Sequence, residues 1–220
     1  MGRHSRHAAA VTAALAVVGA AAWLGLSSGG ESAAQVGSGG TVAAAAKDRV
    51  TQPLRDEHKE LIPHIDGLAA AGDAVGEASL AEQQENVHAS YVFLTEHLIP
   101  HAVAEDKVLY AKVDELVGTN GKTHATDTMR RDHQEVGTLT DELGKLGGKL
   151  EKGNLAAPDQ HELRRVLYSL NGIVGLHFAK EEEVYLPLLD RTLTAEQAQE
   201  MFEQMEEVTA KEAGGQGHAH

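Results

Sequence analysis

Four long stretches of this chain place apolar residues alternately three and four positions apart, and each stretch sets a histidine in one of those apolar slots. The spacing predicts four amphipathic helices. In the first, Leu54, Leu61, Ile65 and Leu68 flank His58; in the second, Val87, Tyr91, Leu94 and Leu98 lead to His101 and Glu105 and on to Val108. The third carries Met129, His133, Val136, Leu143 and Leu150, and the fourth Leu163, Leu167, Leu170 and Val174, then His177 and Glu181, then Val184 and Leu188. An unpaired buried carboxylate or imidazolium costs several kcal/mol, while a whole domain is stable by about 5–15 kcal/mol. Four histidines and two glutamates in one core therefore need a shared partner. A pair of metal ions would supply one.

Two of the helices carry the polar residues as HxxxE, in HAVAE (His101 to Glu105) and HFAKE (His177 to Glu181). Residues four apart share a helix face one turn apart, which suits an imidazole and a carboxylate to one ion. With 13 histidines in the chain, roughly one such match arises by chance. It is the position in the apolar stripe that makes these two informative.

Composition narrows the chemistry. The net charge of -14, with no compensating Lys/Arg stripe, argues against a nucleic-acid partner. The absence of Cys removes disulfides, iron-sulfur clusters, thiolate zinc sites and thiol catalysis together. Metal chemistry is left to His, carboxylate, Tyr and water.

Residues 1–26 read as an export signal or membrane anchor, with Arg3 and Arg6 ahead of an apolar run from Ala8 to Leu26. The run is weakly hydrophobic but just long enough to span a bilayer. Ser32-Ala33-Ala34 offers a cleavage site. The chain is expected either to be anchored by residues 8–26 or to be secreted after cleavage near Ala34, touching membrane only through this segment. Both place its bulk outside the cytoplasm. A Ser/Gly/Ala-rich linker follows over 27–46. The bundle then spans 47–193 and a C-terminal helix and tail 194–220.

Helices are expected at about Pro53–Ala71, Leu80–Val117, Thr126–Lys152 and Pro158–Leu193, broken at Gly72, at Gly118 to Gly121 and at Gly153. Short connections between such helices give an all-α, antiparallel up-down four-helix bundle. Along its axis His133, 19 residues before Lys152, and His177, 19 residues after Pro158, fall at one height. Pro63 and Pro100 immediately precede His64 and His101, so kinks there are expected to aim those rings inward. Thr194 and Gln197 form a capping box opening a fifth helix to about Lys211, with Met201, Met205 and Val208 toward the bundle. The terminal GGQGHAH, with His218 and His220, reads as a frayed tail.

The segments DEH (Asp56 to His58), HLIPHAVAEDKVLY (His97 to Tyr110), RDH (Arg131 to His133) and HFAKEEEVYLPLL (His177 to Leu189) resemble the hemerythrin-like, or HHE cation-binding, family over about residues 50–190. The resemblance implies two oxo- or hydroxo-bridged non-haem irons. His58, His101, His133 and His177 would be terminal ligands, with Glu105 and Glu181 bridging. It also implies dioxygen, peroxide or nitric oxide as partners, in oxygen or redox sensing or in detoxification, including an enzyme that consumes peroxide or nitric oxide. The donor types alone admit Mn or Zn as well as Fe. Oxygen-carrying members place another histidine one turn after the third-helix ligand, where this chain has Gly137. That departure favours two open metal positions and redox turnover over simple oxygen carriage. His97, one turn before His101, is expected behind the ligands as a hydrogen-bond partner. His64, Tyr110 and Tyr185 are further candidates to reach in.

Not every histidine belongs to this set. At about 100° per residue His88 points about 180° from His97, and His161 about 160° from His177, so both fall on outer faces. His124 belongs to a loop. A ferritin-like site would need ExxH pairs on two helices, and the chain has one, Glu85 with His88, facing away from the stripe. A zinc hydrolase would need HExxH or three clustered histidines, and neither motif occurs. The non-redox alternative is a bundle that stores or buffers metal, or docks partners around a structural ion.

Overall fold

A computed structural model describes residues 49–118 and 123–215. The expected export segment and linker (1–46), with His218 and His220, lie outside the described residues. Among the described residues there are five helices: α1 (Gln52–Ala74), α2 (80–117), α3 (Asp127–Leu150), α4 (157–192) and α5 (Ala195–Gly215). Helices α1 and α3 each pack between α2 and α4, which closes a ring of four. At the start of α1, Thr51 donates from its backbone N–H (3.0 Å) and hydroxyl (2.9 Å) to Asp190 near the end of α4. At the other end Arg164 Nε of α4 donates to the Val75 carbonyl at 3.1 Å. Similarly, Gln84 of α2 reaches the Leu150 carbonyl at the end of α3, while Thr126 before α3 donates to Asp114 late in α2. Both pairs are thus antiparallel, as short connections require. Among the described residues no helix is long and apolar enough to cross a membrane.

The break expected at Gly72 comes one turn later. Gly72 is buried inside α1, and a Cβ there would lie 3.1 Å from the Tyr168 ring, so this glycine serves close packing. The chain turns instead at Gly76, whose φ of 77° is left-handed and open to glycine at little cost.

Three wide π-helical turns interrupt the α-helices, at Phe93–Leu98, Glu105–Leu109 and Glu181–Tyr185. Two of them run up to a proline: Ile99 N–H bonds the Leu94 carbonyl just before Pro100, and Leu186 N–H bonds the Glu181 carbonyl just before Pro187. A proline ring clashes with the carbonyl four residues back, and a wider turn makes room for it without ending the helix. The wide turns that begin at Glu105 and Glu181 also shift the buried face by one residue. Val184, expected in the core, is therefore 56 % exposed, while Leu186 and Leu189 are fully buried. In α2 the burial passes from Glu105 to Leu109, Tyr110 and Val113, with Val108 only partly covered. Tyr91, also expected inside, is 39 % exposed and lies across Gly144.

The apolar core has two parts. One joins Ile65, Leu68, Leu94, Leu98, Val136, Leu143, Leu167 and Val174; the other joins Leu54, Leu109, Val113, Met129, Leu186 and Leu189 with Met201 and Met205 of α5. The polar core residues form a layer between them, since along α1 Leu54, His58 and Ile65 belong in turn to the second part, the layer and the first. Helix α5 opens with the expected capping box, Gln197 N–H donating to Thr194 Oγ1 (3.3 Å) and Thr194 N–H to Gln197 Oε1 (3.0 Å). It packs across the part of α2 that carries His101.

Candidate metal centre

The four helices bring the buried His58, His101, His177, Glu105 and Glu181 together with the mostly buried His133 in one layer. They form two groups. His58 Nε2 lies 3.5 Å from Glu181 Oε2 and 3.9 Å from Glu105 Oε1, and His101 Nε2 lies 2.9 Å from the same Glu105 oxygen. Opposite them, His133 Nε2 is 3.3 Å from Glu105 Oε2, and His177 Nε2 is 3.9 Å from that atom and 3.6 Å from Glu181 Oε1. Each glutamate thus turns one oxygen toward each histidine pair. The two histidines expected at one height do meet, Nε2 to Nε2, at 3.0 Å.

Each of these four histidines is held from behind by an acid on a neighbouring helix. His58 Nδ1 is 2.9 Å from Glu182, His101 Nδ1 is 2.9 Å from Glu57, His133 Nδ1 is 3.0 Å from Asp106 and His177 Nδ1 is 3.2 Å from Asp132. The pairing runs round the bundle: α1 serves α2, α2 serves α3, α3 serves α4 and α4 serves α1. A carboxylate at Nδ1 fixes the proton there and turns the Nε2 lone pair to the centre, the arrangement seen behind metal-ligating histidines. Three of the acids are themselves held by cations. Glu182 is paired with the buried Arg55, Asp132 with Lys180, and Asp106 lies 4.0 Å from Arg130. Glu57 is half exposed.

The inner atoms fit a cation. His58 Nε2, His101 Nε2, both Glu105 oxygens and Glu181 Oε2 are buried without a hydrogen-bond partner, although such atoms are normally satisfied. Even the 2.9 Å approach of His101 to Glu105 is not aligned as a hydrogen bond. Without metal, protons take the cation's place. Burial disfavours a charged His101, yet Glu105 and Glu57 outweigh it and hold its pKa well above the usual range. Burial likewise opposes the charge on His177, but Glu105 and Glu181 lift it to about 10. Glu105 shows the converse, kept well below the usual carboxylate range against its own burial by His101, His133 and His177. Imidazole nitrogens and carboxylate oxygens in this number are donors suited to Fe, Mn or Zn.

Tyr110, brought inward by the wide turn after Glu105, is fully buried. Its hydroxyl donates to Glu181 Oε1 at 2.6 Å and lies 3.0 Å from His177 Nε2. Burial, then the charges of Glu105 and Glu181, hold this phenol far above its usual pKa, so it stays protonated. The other three candidates stay out of the cluster. His64 is exposed and stacks on Phe93, because the helix continues through Pro63 without turning the ring inward. His97 is exposed within a wide turn, which takes it off the face of His101. Tyr185 turns its hydroxyl to the Ala125 carbonyl at 3.1 Å. His88, His124 and His161 are exposed, as their helix phase and loop position require.

The sequence reading missed Glu57, Asp106, Asp132 and Glu182. A local signal existed, since each acid is the chain neighbour of a core-slot residue (His58, Glu105, His133 and Glu181). Each serves a different helix from its own, and that pairing is set by how the helices are rotated against one another.

Two clefts approach the layer. One of about 430 Å³ between α1 and α4 is bordered by His58, Ile65, Phe178 and Glu182. Another of about 390 Å³ between α1, α2 and α5 is bordered by His101, Glu57, Phe202 and Met205. Both suit small molecules. A larger groove of about 570 Å³ between α2 and α3 is lined by Val87, Tyr91 and Gly144, away from the layer.

The family model for the hemerythrin HHE cation binding domain matches residues 49–189. No curated protein and no solved structure matches the chain. With well over half of its length inside that match, and a buried layer of cation-ready donors contributed by all four helices, the chain belongs to the hemerythrin HHE cation-binding domain family.

Proposed function

We propose that this chain is a non-haem di-iron protein held outside the cytoplasmic membrane, where it binds dioxygen, peroxide or nitric oxide. The observation that carries the reading is the orientation of Glu105 and Glu181, each with one oxygen toward the His58–His101 pair and the other toward the His133–His177 pair. Two cations held side by side would need shared carboxylates, and Glu105 and Glu181 are the residues that would hold both. Iron held by these residues would supply one-electron redox chemistry toward a small ligand.

The protein supplies the rest. The four acid–histidine pairs fix which ring nitrogen faces inward, and Phe178, stacked on His58 at a centroid distance of 4.2 Å, walls that side with an apolar ring. The Tyr110 hydroxyl oxygen, 2.6 Å from Glu181 Oε1, keeps a donated proton inside the centre. The clefts bordered by His58 and by His101 are where a diatomic molecule or peroxide would approach, and the apolar clusters flanking the layer shield it from bulk water. The setting outside the membrane is supported by Arg3, Arg6, the apolar run over 8–26 and the small residues at 32–34.

Metal content and optical absorption of the purified protein, before and after peroxide addition, test the proposal. About two irons per chain, with a charge-transfer band that changes on peroxide addition, are expected. A folded bundle holding zinc, or iron indifferent to peroxide, would refute the redox reading and leave metal buffering or docking.

A further inference from the structure

The two halves of the buried layer differ in what already occupies them. Around His58 and His101 every inward donor is free: His58 Nε2, His101 Nε2, Glu105 Oε1 and Glu181 Oε2 are buried with no hydrogen-bond partner. Around His133 and His177 three of the four inward donors have a partner, and Glu105 Oε2 alone has none. The Tyr110 hydroxyl donates to Glu181 Oε1 at 2.6 Å and sits 3.0 Å from His177 Nε2, and the two Nε2 atoms are 3.0 Å apart. The Tyr110 ring is stacked on His133 at 5.5 Å, with the Arg130 guanidinium 5.5 Å from its centroid. The clefts beside His58 and His101 give the first half its own approaches.

A short hydroxyl-to-carboxylate hydrogen bond in a buried site is among the stronger ones. A cation that draws on Glu181 Oε1 must share that oxygen with the Tyr110 proton, which weakens it as a donor, or displace the hydroxyl and leave it buried in need of a new acceptor. No such contact is lost when the other oxygen of the same carboxylate is used.

We propose that Tyr110 makes the two cation positions unequal: its hydroxyl competes for Glu181 Oε1, so the His58–His101 position fills first and the His133–His177 position second, with lower affinity. This rests on the reading above that the layer holds two cations, and it applies to a redox-inert ion as well as to iron.

Calorimetric titration of the metal-free full chain with Zn²⁺ tests it, with a competing chelator to extend the range. Two binding events are expected, separated by about tenfold or more in dissociation constant. Tyr110→Phe should tighten the second event by about tenfold and move the first by less than about threefold. His101→Ala should remove the tighter event and His133→Ala the weaker, with circular dichroism confirming that each variant is folded. Two equal events in the parent, a second event weakened by Tyr110→Phe, or loss of the tighter event in His133→Ala would each overturn the proposal. Binding of fewer than two ions by the folded parent would instead refute the two-cation reading, so the two failures are distinct.

Discussion

Glu182 and Glu57 stand behind the two histidines of one cation position, His58 and His101, at the same 2.9 Å, yet removing them should not cost the same. Glu182 is also paired with Arg55, which is 8 % exposed. Glu182→Ala therefore leaves His58 without its acceptor and Arg55 with Asp190 as its remaining carboxylate partner. Loss of an acid behind a metal-ligating histidine typically weakens metal binding 10–100-fold, or about 1.4–2.8 kcal/mol. A buried charged group that loses one partner adds a folding cost of about 1–3 kcal/mol. Glu57 is half exposed, so in Glu57→Ala water takes the acceptor's place, and the loss should stay within about 1 kcal/mol. The assay is chelator competition on the full chain, with urea unfolding of the metal-free protein as the measure of fold stability. If Glu57→Ala weakens metal binding as much as Glu182→Ala, or if Glu182→Ala leaves metal-free stability unchanged, the argument from burial is wrong.

Other outcomes follow from the same geometry. His101→Ala and Glu181→Ala should each lower bound metal by at least one ion per chain by elemental analysis, while exposed His88→Ala should not; equal metal in all three would refute the assigned centre. His177 is held at about 10 against an ordinary 6.5, since Glu105 and Glu181 outweigh its burial. Its protonated form thus favours the metal-free fold fully below about pH 6.5, and that contribution is lost as pH rises toward about 10. Urea midpoints of metal-free protein across this range should fall, and a His177→Gln variant should fall less. Gly137 lies within α3 with nothing within 4 Å of where a Cβ would sit. Gly137→Ala should stabilise the protein by about 0.5–1 kcal/mol, and a destabilised variant in urea unfolding would show that the helix needs a glycine there.

The helices and the membership of the polar layer were legible because they depend on local rules. A 3–4 apolar spacing sets one buried face, and a fixed rise per residue sets the height of His133 against His177. From those rules alone the sequence placed six polar residues in one core and required a compensating charge. The place where that face shifts was not legible. A wide turn depends on which carbonyl each N–H finds in the packed helix, and proline alone does not prescribe it: Pro63 lies in regular helix, while Glu105–Leu109 widens with no proline after it. Such turns put Val184 in solvent, kept His97 off the ligand face and carried Tyr110 into the centre. Nor did the spacing reveal the acids behind the histidines, because Glu57, Asp106, Asp132 and Glu182 each complete a residue on another helix. Sequence determined which residues had to be buried and paired; the rotation of each helix against its neighbours decided with what.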